Sequence, residues 1–254
     1  MFVDTHLHLH DPYFDPEKLD LVVEDITKNK IVTWVQSCDL PTYEVVLERC
    51  KKSEYLFPSF GVLPWYAHQY VDQFNEIAKL AEEATMLGEI GLDEKYTREK
   101  ESIPHQLPLF EIYLKEAEKN NKVLNCHFRG KERESFEIVK SYKAKKIIFH
   151  AYSGDIELMK DITDAGYYYS VGPRYNEEKL KLIPDDLLIL EIDVLSRDDF
   201  KLPSVVFSEM LERVAKIRGT TAGEIEAINH KNSLKLISDN PNLSDMKKLL
   251  TEKK

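Results

Sequence analysis

Cysteine is scarce in this chain. Cys38, Cys50 and Cys126 are the three among 254 residues, widely spaced, odd in number and without a C-x-x-C pair. That usage offers no disulfide framework and reads as reduced thiols of a cytoplasmic protein. No stretch approaches 18 consecutive apolar residues, which predicts no membrane span. The N-terminus lacks the basic segment and apolar core of a secretory signal. Excess positive charge is missing too: 35 Lys and Arg face 45 Asp and Glu, a formal net charge of −10. A histone-like, broadly basic nucleic-acid binder is thereby excluded. An enzyme that draws an anionic substrate to bound metals and a few local basic side chains is not. Linkers, repeats and low-complexity runs are also absent. What remains is an ordinary globular composition, 43% hydrophobic and 31% charged, at a length that fits one large α/β barrel or two smaller domains.

Strand-like runs rich in β-branched and aromatic residues alternate with helical periodicity. Residues 2–8, 31–37, 55–62, 85–88 running into 89–93, 122–127, 146–150, 167–171 and 187–193 read as eight strands. Helices are expected over 16–29, 42–52, 71–84, 107–118, 131–142, 155–165, 205–218 and 221–237, with a charged loop over 94–103. Asp155 is a natural N-cap, and Thr221-Ala-Gly-Glu224 has the capping-box pattern. This alternation predicts a single (β/α)8 TIM-barrel domain spanning residues 1–254.

His6 and His8 lie two apart, so on a strand both imidazoles leave the same face. Alone, such a pair can be a solvated edge. In a TIM barrel, however, the active face is built at the C-terminal ends of the strands. His6 and His8 end strand one, Glu89 strand four, His127 strand five, His150 strand six and Asp193 strand eight. Four imidazoles and two carboxylates suit two divalent ions sharing a bridging carboxylate. A coherent division gives His6, His8, Glu89 and Asp193 to one ion and Glu89, His127 and His150 to the other. Glu89 then bridges, and Asp193 is the natural general base beside the activated water. Singly, each residue has a plainer role: a hydrogen-bonded core histidine, a carboxylate cap, Gly88 and Gly91 as turn residues. The joint pattern is what points to metal-assisted hydrolysis.

The segments Asp4-Thr-His-Leu-His8, Gly88-Glu-Ile-Gly-Leu-Asp93, His127-Phe-Arg129, His150-Ala-Tyr-Ser-Gly154, Glu191-Ile-Asp193 and the late Asn232 resemble the motif series of the TatD family of metal-dependent deoxyribonucleases. The likeness runs from residue 2 to about residue 237. It implies a barrel of the metallo-dependent hydrolase superfamily, two divalent ions (Mg, Mn or Zn), and hydrolysis of phosphodiester bonds in DNA ends or single strands. The family's ligands fall on His6, His8, Glu89, His127, His150 and Asp193, all intact. Gly61-Val-Leu63-Pro64 lacks the histidine of the family's Gly-x-His-Pro run. Glu94 replaces an aromatic residue, and Ile192 and Val194 flank Asp193 where the family has Thr and a small residue. These departures touch substrate contacts rather than ligands.

Arg129 matches the family's basic residue and can bind a phosphate bidentately. Arg174, in the loop after strand seven, and Arg197, after Asp193, are further cations whose plain role is solvated surface. Trp65, Tyr66, Phe128 and Tyr152 can stack unpaired bases or merely pack the barrel rim. Cys126 alternates to the face opposite His127 and reads as a small buried hydrophobe. The turn signal of Asp11-Pro12 stops His10 from extending the histidine series and leaves it behind the ligands or at the rim. No obligate protein partner is evident. The alternative is hydrolysis of a small ester, amide or phosphate on the same barrel. A degenerate scaffold would have lost ligands, and none is lost.

Overall fold

The computed structural model describes residues 1–251, and all eight expected strands form. They are β1 (Val3–Leu7), β2 (Val32–Gln36), β3 (Leu56–Ser59), β4 (Leu87–Asp93), β5 (Leu124–Arg129), β6 (Ile147–His150), β7 (Tyr168–Val171) and β8 (Leu188–Leu190). Every pairing is parallel, in chain order, within two runs: β1 to β3 and β4 to β8. Single bridges close the two seams, Phe60 to Leu87 and Leu7 to Asp193. At the second seam His8 N donates to Asp193 O at 2.9 Å and Asp193 N donates to His6 O at 2.7 Å. The result is a (β/α)8 barrel. Helices cover its strands outside and side chains fill it inside, so Val32-Thr-Trp-Val-Gln36 and Leu188-Ile-Leu190 read as continuous buried runs.

Helices α1 (Leu19–Asn29), α2 (Leu40–Cys50), α3 (Phe74–Glu83), α4 (Ile103–Asn120), α5 (Glu132–Ser141), α6 (Ile156–Asp164) and α7 (Glu177–Leu182) follow β1 to β7 in turn. Then come α8 (Pro203–Arg218), α9 (Ala222–Ile237) and α10 (Ser244–Thr251). Asp155 caps α6 through Leu158 N, and Thr221 and Glu224 form the anticipated capping box of α9. Two expected boundaries move. The helix anticipated at 107 starts at Ile103: Pro104 falls in its first turn, where a missing N–H costs little, and Pro108 lies inside it, without an N–H for Pro104 O. The one anticipated at 71 starts at Phe74, behind a 3-10 segment over Pro64–Gln73. The six residues of α7 are too few to show a helical period.

Corrections concern β4, β5 and β8: His127 lies inside β5, which runs on to Arg129. Glu89 lies inside β4 rather than at its end, and Gly91 is a strand residue, not a turn residue. At Gly91, with φ of +144°, a Cβ would meet His127 O at 2.1 Å, so only glycine lets β4 press against β5 here. β8 stops at Leu190, short of the expected Asp193, whose φ of +70° breaks the extended path.

Helix α9 ties the closing seam. Asn229 Nδ2 donates to Val3 O at 2.7 Å, and Asn229 Oδ1 accepts from Leu190 N at 2.9 Å. Asn232 holds Asp185 O and Leu188 O at 2.7 and 2.8 Å. It therefore positions β8 rather than joining the site. Among the described residues, no helix is long and apolar enough to cross a membrane.

Candidate metal centre

The barrel brings all six anticipated side chains together. The Nε2 atoms of His6 and His8 lie 3.1 Å apart, as their shared strand face requires. Glu89 stands between two groups of imidazoles. Its Oε2 is 3.0 Å from His8 Nε2 and 3.5 Å from His6 Nε2. Its Oε1 is 2.6 Å from His127 Nδ1 and 3.7 Å from His150 Nε2. Asp193 closes the open side, with Oδ1 3.8 and 3.9 Å from the Nε2 atoms of His6 and His8, and Oδ2 4.0 Å from His150 Nε2. Ligand atoms about 2.1 Å from one ion stand about 3.0 to 3.4 Å from each other, a range met by His6–His8 and His8–Glu89, while the Asp193 and His150 separations are wider and Glu89–His127 is closer.

The division differs in detail from the anticipated one. Among the described residues, three groups have ligand atoms within 4.8 Å of one another: His6, His8 and Asp193; His6, Glu89 and His150; and His8, His10 and Cys38. His150 stacks on His6 with centroids 4.0 Å apart, while His127 joins through Glu89 Oε1.

Each imidazole is held from outside, which decides the nitrogen it turns inward. Asn125 Nδ2 donates to Thr5 O at 2.8 Å, so its Oδ1 accepts from His6 Nδ1 at 3.0 Å. The lone pair of His6 is then on Nε2, inside the cluster. His150 Nδ1 donates to Glu191 Oε2 at 2.9 Å, and His127 Nε2 to Asp93 Oδ2 at 2.8 Å. His10 Nδ1 donates to Asp11 O at 3.0 Å, so His10 Nε2 accepts from His8 Nδ1 at 3.2 Å. Outer acceptors of this kind orient metal-binding imidazoles and raise their basicity.

Sequence reasoning singled out neither Asp93, Asn125 nor Glu191; it left His10 either behind the ligands or at the rim, and the structure buries it behind His8. Parity was the available signal: Asp93 shares a strand face with Glu89, and Asn125 with His127.

The electrostatics call for cations. Burial disfavours a charged His6, yet Glu89, Glu191 and Asp193 carry its pKa up to about 10. Burial opposes charge on His127 as well, and Glu89 and Asp93 raise it nonetheless. Desolvation works against ionised Glu89, but His127 and His6 hold it well below the usual carboxylate range. Carboxylates that pull protons onto neighbouring imidazoles make the same demand for positive charge that divalent metals meet. Cys38 Sγ lies 3.7 Å from His8 Nδ1, but burial pushes this thiol well up. Asp193 and Ala151, the residue after His150, have φ of +70° and +39°. Such sparsely populated backbone concentrates at sites that must aim a side chain.

The anticipated substrate contacts separate. Arg174 is exposed and Tyr152 buried, and both line a cleft of about 470 Å³ that reaches Glu191 and Asp193, with Lys179 and Tyr175. The Tyr152 hydroxyl donates to Asp155 O at 2.7 Å, leaving its ring as the group that faces the cleft. Arg129 is buried, with Nη1 donating to Phe128 O at 2.9 Å and His150 O at 3.3 Å. Arg197 turns away to Asp11 and Phe14 O. Phe128 packs against Phe110 and Phe149, which is the plain role.

A family model described as TatD-related DNase matches residues 3–238. A metal-dependent hydrolase of Methanocaldococcus jannaschii, named as uncharacterized, is 30% identical over 92% of this chain and 96% of its own length. The human deoxyribonuclease TATDN3 is 25% identical over 92% of this chain and 93% of its own. Among solved structures, the TatD homolog YjjV of Escherichia coli superposes with a TM-score of 0.80 at 20% identity, covering 92% of this chain and 97% of the other. That likeness is one of fold.

Proposed function

The chain belongs to the TatD-related DNases, a family of metal-dependent hydrolases, and we propose that it cleaves phosphodiester bonds of DNA ends or single strands. One observation carries this reading: Glu89 presents one oxygen to His6 and His8 and the other to His127 and His150. A bridging carboxylate between two imidazole groups fits a pair of divalent ions drawn from Mg, Mn or Zn; the imidazoles favour Zn, and the carboxylate oxygens favour Mn and Mg. His6, His8, Glu89, His127, His150 and Asp193 would hold them. Such ions supply Lewis acidity at a phosphoryl oxygen and acidify water from about 16 toward 7.

The protein's own groups do the rest. Asp193 is the most exposed of the six, with 41% of its side chain accessible, and it borders the cleft, where its carboxylate accepts the proton of the attacking water. Arg174 and Lys179 offer positive charge to the strand's phosphates, and the free N–H groups of Arg129 stand at the end of β5. The human relative named a deoxyribonuclease supports DNA as substrate. The three free thiols support a cytoplasmic location, and the unbroken order of the barrel supports one domain over the chain.

Incubation with Mg2+ or Mn2+ and end-labelled single-stranded DNA tests the reading. Shortened products are expected from the wild type and none from Asp193→Asn. Intact DNA under every metal would overturn it. One observation favours a small ester, amide or phosphate instead: Leu63, where the family pattern has histidine, is fully buried. Turnover of such compounds without DNA cleavage would establish that alternative.

A further inference from the structure

A second cleft, of about 550 Å³, opens on the other side of the cluster and is lined by Tyr13, Trp65, Tyr66, Tyr96, Gln69 and Arg98, with Pro12 and Glu99 at its edges. It adjoins the metal centre directly. The Trp65 ring meets His127 edge to face at 5.2 Å, and the Tyr13 ring lies 5.0 Å from that of His8. Trp65 and Tyr66 are presented by the Pro64–Gln73 segment that replaces an ordinary β3–α3 loop. Tyr96 is tied in from the opposite wall: Asp93 Oδ1 accepts from Tyr96 N at 2.6 Å while Asp93 Oδ2 holds His127. One buried carboxylate thus sets the distance between this wall and the cluster.

These four rings do not behave as core. Tyr13, Trp65 and Tyr66 are half-buried, and Tyr96 is 56% exposed, with Lys95 Nζ 5.1 Å from its centroid. Phe128, by contrast, is 2% exposed and packs against Phe110 and Phe149. Aromatic faces left open beside a phosphate-handling centre match the stacking surfaces that receive unpaired bases, and Arg98 adds a cation that stacks as well. Gln69, Arg98 and Glu99 place donors and acceptors where a base edge would lie.

We propose that this cleft is a nucleobase subsite, receiving the unpaired base of the nucleotide next to the phosphate at the metal centre. The substrate phosphate is taken from the phosphodiesterase reading, while the ligand class rests on the cleft's own lining. An unpaired base is needed, because a duplex would keep it stacked and out of reach of the cleft.

Trp65 reports directly, since the other tryptophan, Trp34, is 1% exposed. Deoxyadenosine 5′-monophosphate added to the protein as purified should quench Trp65 fluorescence, and deoxyribose 5-phosphate should not. Tyr96→Ala, a change at an exposed position, should weaken the nucleotide about tenfold. In the cleavage assay, a strand with an abasic residue beside the scissile phosphate should show a KM about tenfold higher than the intact strand. Tyr96→Ala should narrow that difference. Equal quenching by the two phosphates, or unchanged nucleotide binding by Tyr96→Ala, would overturn the assignment. So would equal KM for intact and abasic strands, and the nuclease reading would then stand alone. Base-dependent quenching without DNA cleavage would leave the cleft assigned and the nuclease reading lost.

Discussion

His10 Nε2 lies 3.2 Å from His8 Nδ1, as the middle link of a chain that starts at the carbonyl of Asp11. The chain leaves a lone pair on His10 and a proton on His8 Nδ1, so His8 Nε2 faces the cluster. His10 is a positioning residue. His10→Phe keeps a ring but removes the acceptor, and divalent-metal affinity is expected to fall about 10- to 100-fold, the usual cost of losing an outer partner. His10→Gln, with a carbonyl oxygen in reach, should retain most of it. Isothermal titration with Mn2+ or Zn2+ measures both, and equal affinity in wild type and His10→Phe would refute the role.

Glu89 and Asp193 should separate in their effects. Glu89 faces both imidazole groups, whereas Asp193 closes the cluster from its half-exposed side. Glu89→Gln is expected to lower bound metal toward zero by elemental analysis. Asp193→Asn should keep most of the metal and lose hydrolysis by about 100-fold or more, the scale of general-base removal. Chelation should lower the melting temperature of the wild type and of Asp193→Asn but leave Glu89→Gln unmoved. Full metal content in Glu89→Gln would contradict the bridging role.

Asn229 joins β1 to β8 across the closing seam with two fully buried hydrogen bonds. Asn229→Leu strands Val3 O and Leu190 N, each left without its partner. A loss of about 2 to 4 kcal/mol is expected from two such groups, read as a shift in the urea midpoint. A loss under about 0.5 kcal/mol, the range of a neutral surface change, would show the seam to be held by the strands alone.

Lys122 gives a pH signature away from the site. Its ammonium reaches Ala81 O and Glu82 O, both at 2.6 Å, and lies 3.2 Å from Glu116. Burial nonetheless lowers its pKa below 10.5, outweighing the attraction of Glu116. Between the folded value and 10.5 the unfolded chain binds this proton more tightly, so this group favours folding increasingly as pH rises through that window. The stability of the wild type minus that of Lys122→Met should therefore climb toward pH 10.5 in denaturant titrations. A flat or falling difference would show that Glu116 wins.

The order of the eight strands and of all helices but α7 and α10, and six of the residues that meet at the centre, were legible because side-chain direction on a strand follows from parity and a parallel barrel opens its site at one end. His6 and His8 needed nothing more to share a face. Boundaries set by backbone accommodation were not legible: β8 ends early at the left-handed Asp193, and β4 runs on through Gly91, whose missing Cβ admits His127 O. Nor could the chain alone say which nitrogen each imidazole turns inward. Asn125, Glu191, Asp93 and His10 decide that through hydrogen bonds, most of them between residues far apart in the chain, that exist only in the folded barrel. Periodicity is a property of neighbours along the chain, whereas tautomer, bridging and the aromatic cleft are properties of neighbours in space.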